Sequence, residues 1–212
     1  MAELGAEQVK ALRVKTGAGI MDCKRALQAS GGNEDKAIDW LREKGLARAA
    51  QKAGRVASEG TVASYIHGAG RVGVLIELSC ETDFVARTDE FLTLAHDLAL
   101  QVAASAPQWL TPDEVPAAVV DHERDVLTKQ ALAEGKPAKV VEQMVEGRLR
   151  KFYAQHCLLA QPFIKDGDRT VERVVQEAIA KLGENIVLRR FARFALGEAG
   201  GEAGADRGVA QA

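Results

Sequence analysis

Residues 71–80 read Arg-Val-Gly-Val-Leu-Ile-Glu-Leu-Ser-Cys, so Val72, Val74, Ile76, Leu78 and Cys80 fall at every second position. Strict alternation is the period of a half-buried strand and cannot form one face of a helix. A second strand-like run, 61–67, precedes it, and Gly68, Ala69 and Gly70 join the two as a tight hairpin. The stretch Glu-Asn-Ile-Val-Leu-Arg-Arg-Phe-Ala-Arg-Phe-Ala-Leu at 184–196 alternates again and supplies a third strand. Helical patterns fill the rest. Two strands, several helices and then a third strand do not make the strict alternation of a parallel sheet. The predicted fold class is α+β: an N-terminal three-helix bundle, then a small antiparallel three-stranded sheet with helices on one face and a helical hairpin.

The helical segments are delimited by glycine and proline. Ala2–Lys15 is followed by Thr-Gly-Ala-Gly at 16–19, and Ile20–Ser30 carries Asp22 in its first turn, where a negative charge suits the helix dipole. Gly31-Gly32 ends that helix and Asn33 is a natural N-cap for the next, in which Ala37, Trp40 and Leu41 make an apolar stripe. The basic stretch 47–55 reads as a linker that can continue the helix. Beyond the hairpin, Phe84, Thr88, Phe91, Ala95, Leu98 and Val102 keep a single stripe at 3.6 residues per turn. Pro107–Pro116 is a connection. Segments 117–134 and 138–159 form the hairpin, with Val141, Val145, Leu149 and Phe152 as the apolar seam of its second arm. A further amphipathic helix runs from Val171 to Leu182 and stops at Gly183. The predicted domains are 1–53, 54–196 and a disordered Gly/Ala-rich tail, 197–212.

Composition narrows the function classes. A net charge of −2 over 212 residues lacks the basic excess of a general nucleic-acid binder. Aromatic residues are only 5% of the chain, so the core must be built mainly from Ala, Val, Leu and Ile. Three widely spaced cysteines, Cys23, Cys80 and Cys157, suit reduced thiols rather than a disulfide framework. With no apolar run long enough to span a bilayer, the expected location is the cytoplasm. Gly68-x-Gly70-x-x-Gly73 satisfies the dinucleotide pattern, but a strand follows it where a phosphate-binding helix would be needed. His67, His96, His122 and His156 are isolated from one another. His156 and Cys157 are neighbours that diverge on a helix, so neither a metal nor a cofactor is expected. A thiol enzyme built from Cys80, His67 and Asp83 can be drawn at one end of the sheet. Yet Cys80 lies on the buried face of its strand, where a cysteine behaves as a small hydrophobe. No catalytic residue is assigned.

The segment Ser-Cys-Glu-Thr-Asp-Phe-Val-Ala at 79–86 joins a strand to a helix and admits two readings. In one, Thr82 or Asp83 caps the helix and Phe84 begins the core stripe. In the other, Asp83 and Phe84 form an exposed tip, an aromatic and a carboxylate that fill an apolar slot on a partner and disturb a nearby cation site. Periodicity does not choose between them.

Four separated stretches carry a family resemblance: Thr-Gly-Ala-Gly-Ile-Met-Asp-Cys-Lys-Arg-Ala-Leu (16–27), Cys-Glu-Thr-Asp-Phe-Val-Ala-Arg (80–87), Glu-Gly-Arg-Leu-Arg-Lys-Phe (146–152) and Lys-Leu-Gly-Glu-Asn (181–185). In order and spacing the chain resembles the translation elongation factor Ts family, in the short bacterial form with one core repeat, from Met1 to about Leu196. The resemblance implies a guanine nucleotide exchange factor that binds elongation factor Tu and expels GDP. It places Thr82, Asp83, Phe84 and Val85 in a crevice of that partner, where they disturb its magnesium site. It also places Ile20, Met21 and Lys24 on a ubiquitin-associated-like module that docks on the partner's GTPase domain. Ile20 and Met21 have an alternative role, stapling the bundle. A single core repeat implies a homodimer through the sheet, with no direct nucleic-acid or membrane contact. The competing reading is a ubiquitin-associated-type binding protein whose core only dimerises.

Overall fold

The computed structural model describes residues 5–135 and 137–198. Residues 2–4 of the predicted first helix, and all of the predicted tail beyond Glu198, lie outside the described residues. Among those described, eight α-helices accompany a three-stranded antiparallel sheet and a small two-stranded one, an α+β fold. The chain forms two compact units. The first contains residues up to 61, 78–94 and 173–188, and the second contains 62–77, 95–172 and 189 onward.

In the first unit, α1 (Ala6–Thr16), α2 (Ile20–Ala29) and α3 (Glu34–Lys52) form the expected bundle. Val9, Leu12, Cys23, Ala26, Leu27 and Ala37 are its buried core, with Ile38, Trp40 and Leu41 packed against it. Gly31 and Gly32 both adopt positive φ, which lets the Gly32 amide return to the Leu27 carbonyl and close α2. Asn33 then caps α3 by accepting from the Lys36 amide. The basic linker stays helical, since α3 runs to Lys52.

So small a core is supplemented by an ionic clamp. Asp22 at the start of α2 accepts two bonds from Arg48 of α3, both 2.8 Å, and one from Arg25 at 2.5 Å. These guanidiniums, Arg48 first, hold the Asp22 carboxyl down at about 2.

The sheet has strand order β1 (Glu59–His67), β2 (Val72–Cys80), β5 (Ile186–Ala195). Val74, Ile76, Leu78 and Cys80 are all buried, as the alternation of β2 requires. The Gly68-Ala69-Gly70 turn has three successive positive φ angles and leads into a strand, which removes the dinucleotide reading. Gly60 is a second conformational necessity. It has φ +146°, and a Cβ there would lie 2.2 Å from the Leu78 carbonyl oxygen.

Two sequence expectations are corrected. The stripe from Phe84 to Val102 is not one helix: α4 (Asp83–Ala86) is separate from α5 (Asp89–Ser105). The seam of the hairpin, formed by α6 (Ala117–Ala133) and α7 (Ala138–His156), ends on Tyr153 rather than Phe152. Phe152 instead faces Trp109 and His156, with ring centroids at 6.3 and 4.6 Å. The sequence also gave no sign of the short antiparallel pair β3 (Pro162–Phe163) and β4 (Asp166–Thr170), which precedes α8 (Val171–Leu182). Buried Gln101 anchors that pair, donating to Gln161 and the Pro162 carbonyl and accepting from the Ile164 amide.

The Asp22 clamp has a definite pH signature. Its folded pKa lies below the ordinary carboxylate value, so its contribution is present above about pH 4 and is lost as pH falls towards 2. Asp22→Asn should cost about 2 kcal/mol near pH 6, and the difference from wild type should vanish towards pH 2. Urea unfolding followed at the two pH values checks this; an undiminished difference at pH 2 would refute the clamp.

Candidate functional site

The segment after Cys80 is bent by two threonine caps. Thr82 is extended (φ −131°, ψ 155°), and its hydroxyl oxygen accepts from the Val85 amide at 3.4 Å, which starts α4. Thr88 repeats the device six residues later. Its hydroxyl donates to the Val85 carbonyl at 2.8 Å and accepts from the Phe91 amide at 3.3 Å, ending one helix and starting the next. The repeated Thr-Asp pairs, Thr82-Asp83 and Thr88-Asp89, were the available sign of this break. With the helix interrupted, Phe84 no longer shares a face with Phe91. Phe91 is fully buried, whereas Phe84 is 82% exposed. The core-stripe reading of Phe84 is therefore withdrawn, and the cap reading of Thr82 stands beside the tip.

Around the aromatic, Val85 is half-buried and Ala86 is buried against the fold. The Asp83 carboxylate lies 3.0 Å from the Arg87 guanidinium and is roughly half exposed. An open depression of about 390 Å³ adjoins it, lined by Glu59, Gly60, Thr61, Asp83, Ala86, Arg87 and Leu92. The tip thus presents one large ring and one carboxylate on a short, doubly capped turn.

The turn is braced from behind by the Gly183–Asn185 loop. Glu184 accepts from the Glu81 and Thr82 amides at 3.1 and 3.0 Å and from the Thr82 hydroxyl at 2.6 Å. In return Glu81 accepts from the Asn185 amide at 2.6 Å. Sequence reasoning noted these residues only as a matching stretch and missed their place beside the tip.

The second group of candidates lies on the bundle. Ile20 and Met21, in the first turn of α2, are 53% and 61% exposed, and Lys24 is exposed one turn further on. Neither apolar residue enters the bundle core, so the stapling alternative is not what the structure shows.

The thiols are poor candidates for chemistry. All three are buried. Burial, then the Glu184 charge, pushes the Cys80 thiol up, and burial with Glu114 pushes Cys157 to about 11. In addition, His67 ends β1 at the hairpin turn whereas Cys80 ends β2 at the opposite end, so the Cys80–His67–Asp83 arrangement drawn from the sequence does not form. Among the described residues there is no cluster of His, Cys, Asp and Glu able to hold a metal ion, and no helix is long and apolar enough to cross a membrane.

Comparison with known proteins agrees with these features. The sequence model of the family described as "Elongation factor TS" matches residues 34–198. An elongation factor Ts from Syntrophomonas wolfei is 61% identical over 193 residues, covering 91% of this chain and 90% of the relative. One from Moorella thermoacetica is 60% identical over 195 residues, covering 92% and 96%. One from Desulforamulus reducens is 58% identical over 198 residues, covering 93% and 91%. With matches of this extent, the chain belongs to the elongation factor Ts family.

Proposed function

We propose that this protein is a cytoplasmic guanine nucleotide exchange factor: it binds elongation factor Tu in its GDP-bound state and promotes GDP release. Family membership supports the partner, and the exposure of Phe84 is the single structural observation that carries the mechanism. A phenylalanine left in water at the end of a rigid turn is a large apolar surface awaiting a slot. Thr82, Asp83, Phe84 and Val85 form the wedge. Phe84 fills a crevice of the partner, and the Asp83 carboxylate brings negative charge towards its magnesium and phosphate site, where bound cations dominate the local field. Ile20, Met21 and Lys24 provide a second contact, on the GTPase domain.

The protein performs no bond chemistry itself. In the ternary complex, exchange factor and nucleotide each weaken the other's hold, and that coupling must be reciprocal. GTP then displaces the factor by the same coupling, and the nucleotide supply sets the direction. Residues 1–53 act as the docking module and 54–196 as the core. No direct nucleic-acid or membrane contact is part of this reading.

The core also pairs with a second copy. Ile66 lies 3.4 Å from the position a Gly73 Cβ would take, and Arg190 pairs with Glu77 at 2.6 Å, which puts Ile66, Gly73, Glu77 and Arg190 on one face of the sheet. By alternation, Val62, Leu75 and Phe194 share that face. All three, like Ile66, are substantially exposed. A strip of this kind suits a two-fold interface, in which each apolar residue meets its symmetry mate's strip.

Three outcomes are expected. Phe84→Ala should slow stimulated release of a fluorescent GDP from elongation factor Tu about 30-fold, from loss of an anchor of roughly 2 kcal/mol, while its melting temperature stays near wild type. Unchanged exchange by the folded variant rejects the wedge. The double variant Ile20→Ala, Met21→Ala should weaken binding to elongation factor Tu without unfolding the bundle, as titration calorimetry can measure. In light scattering at micromolar concentration the protein should have twice the mass of one chain, and Phe194→Glu should halve it. A one-chain mass that persists as concentration rises refutes the dimer.

A further inference from the structure

The stretch at 181–185 has no assigned role, yet it supplies the side chains behind the wedge. We propose that Glu184 is a positioning residue for nucleotide exchange: its carboxylate fixes the turn that aims Asp83 and Phe84. The proposal rests on the wedge reading and adds the group that makes the wedge rigid.

The bonding pattern carries the argument. One Glu184 oxygen accepts from two successive amides, Glu81 at 3.1 Å and Thr82 at 3.0 Å. The other accepts the Thr82 hydroxyl proton at 2.6 Å. That last bond decides which way the hydroxyl points. With its proton given to Glu184, the Thr82 oxygen turns a lone pair to the Val85 amide, the cap of α4. One carboxylate therefore orients the backbone entering the tip and the cap that starts the helix beyond it. Bonds to an ionised acceptor are the stronger kind, and here three converge on one side chain.

Glu184 is itself held in place. Its neighbour Asn185 is 2% exposed, donates its side-chain amide to the Arg55 carbonyl at 2.8 Å, and donates its backbone amide to Glu81 at 2.6 Å. The Glu81 carboxylate also faces the Arg55 guanidinium at 3.6 Å. The loop thus grips the turn from two directions and is tied to the chain that leaves α3. A four-residue helix has too few bonds of its own to hold a fixed direction. Without Glu184 the tip would have to be ordered during docking, at the expense of exchange rate.

A double-mutant cycle on GDP release tests this, since a residue that acts by aiming the wedge has little left to aim once the anchoring Phe84 ring is gone. Glu184→Ala should slow stimulated release about tenfold in the wild-type background and less than twofold in the Phe84→Ala background. Glu184→Gln keeps one oxygen for both amides but loses the acceptor of the Thr82 hydroxyl proton, so it should slow release by a smaller factor, about threefold, again only while Phe84 is present, and it carries the cycle if the alanine variant folds poorly. Amide hydrogen exchange at residues 81–88 should quicken in Glu184→Ala while α6 and α7 stay protected. Equal penalties in both backgrounds, or unchanged release with Phe84→Ala still defective, overturn the positioning role and leave the wedge standing. If Phe84→Ala alone exchanges at the wild-type rate, the wedge fails and this proposal falls with it.

Discussion

Strand β2 is the constraint on which the other features depend. It is the middle strand of three, so its backbone groups are paired on both sides, and its even-numbered residues from Val74 to Cys80 are buried. A slip of one residue would turn that whole set out to solvent, so its register is strongly specified. The end of β2 is therefore a fixed point, and the turn that carries Phe84 begins at the next residue. The close approach of Gly60 to Leu78 shows how tightly this end is packed: there is no room for even a methyl group.

From that fixed point the chain does something a stable core would not favour, leaving a phenylalanine in water. Two threonine caps six residues apart make it possible, since they break one continuous amphipathic helix into two. Phe91 then goes to the core and Phe84 is released from it. The cost in lost apolar burial is offset nearby by the charged hydrogen bonds of Glu184 and the buried amide of Asn185. Local stability and exposure are thus divided between different side chains.

The bundle makes the same division with different means. Its core is small and rich in alanine, and two of its larger apolar side chains, Ile20 and Met21, face solvent. A bundle that gives up such residues to its surface needs another source of stability. Asp22, next to Met21 in sequence, provides it by clamping α2 to Arg48 of α3. In both places a carboxylate holds the backbone from which the exposed apolar group projects, Asp22 from the adjacent position and Glu184 from a loop distant in sequence.

The sequence by itself determined the three strands of the main sheet, the bundle and the helical hairpin, because alternation and 3.6-residue periodicity report directly which side chains must be buried together. The same logic identified the inert burial of Cys80 and the hairpin nature of the glycine-rich turn. It could not decide whether Phe84 is core or tip, since a stripe has the same spacing whether or not a cap interrupts it. Nor could it see that Glu184 and Asn185 stand behind residues 81 and 82, about a hundred positions away. Periodicity is a property of neighbours along one element. The direction of the Phe84 tip depends on hydrogen bonds between segments distant in sequence, and only the tertiary structure, by bringing the 183–185 loop against the end of β2, could decide it.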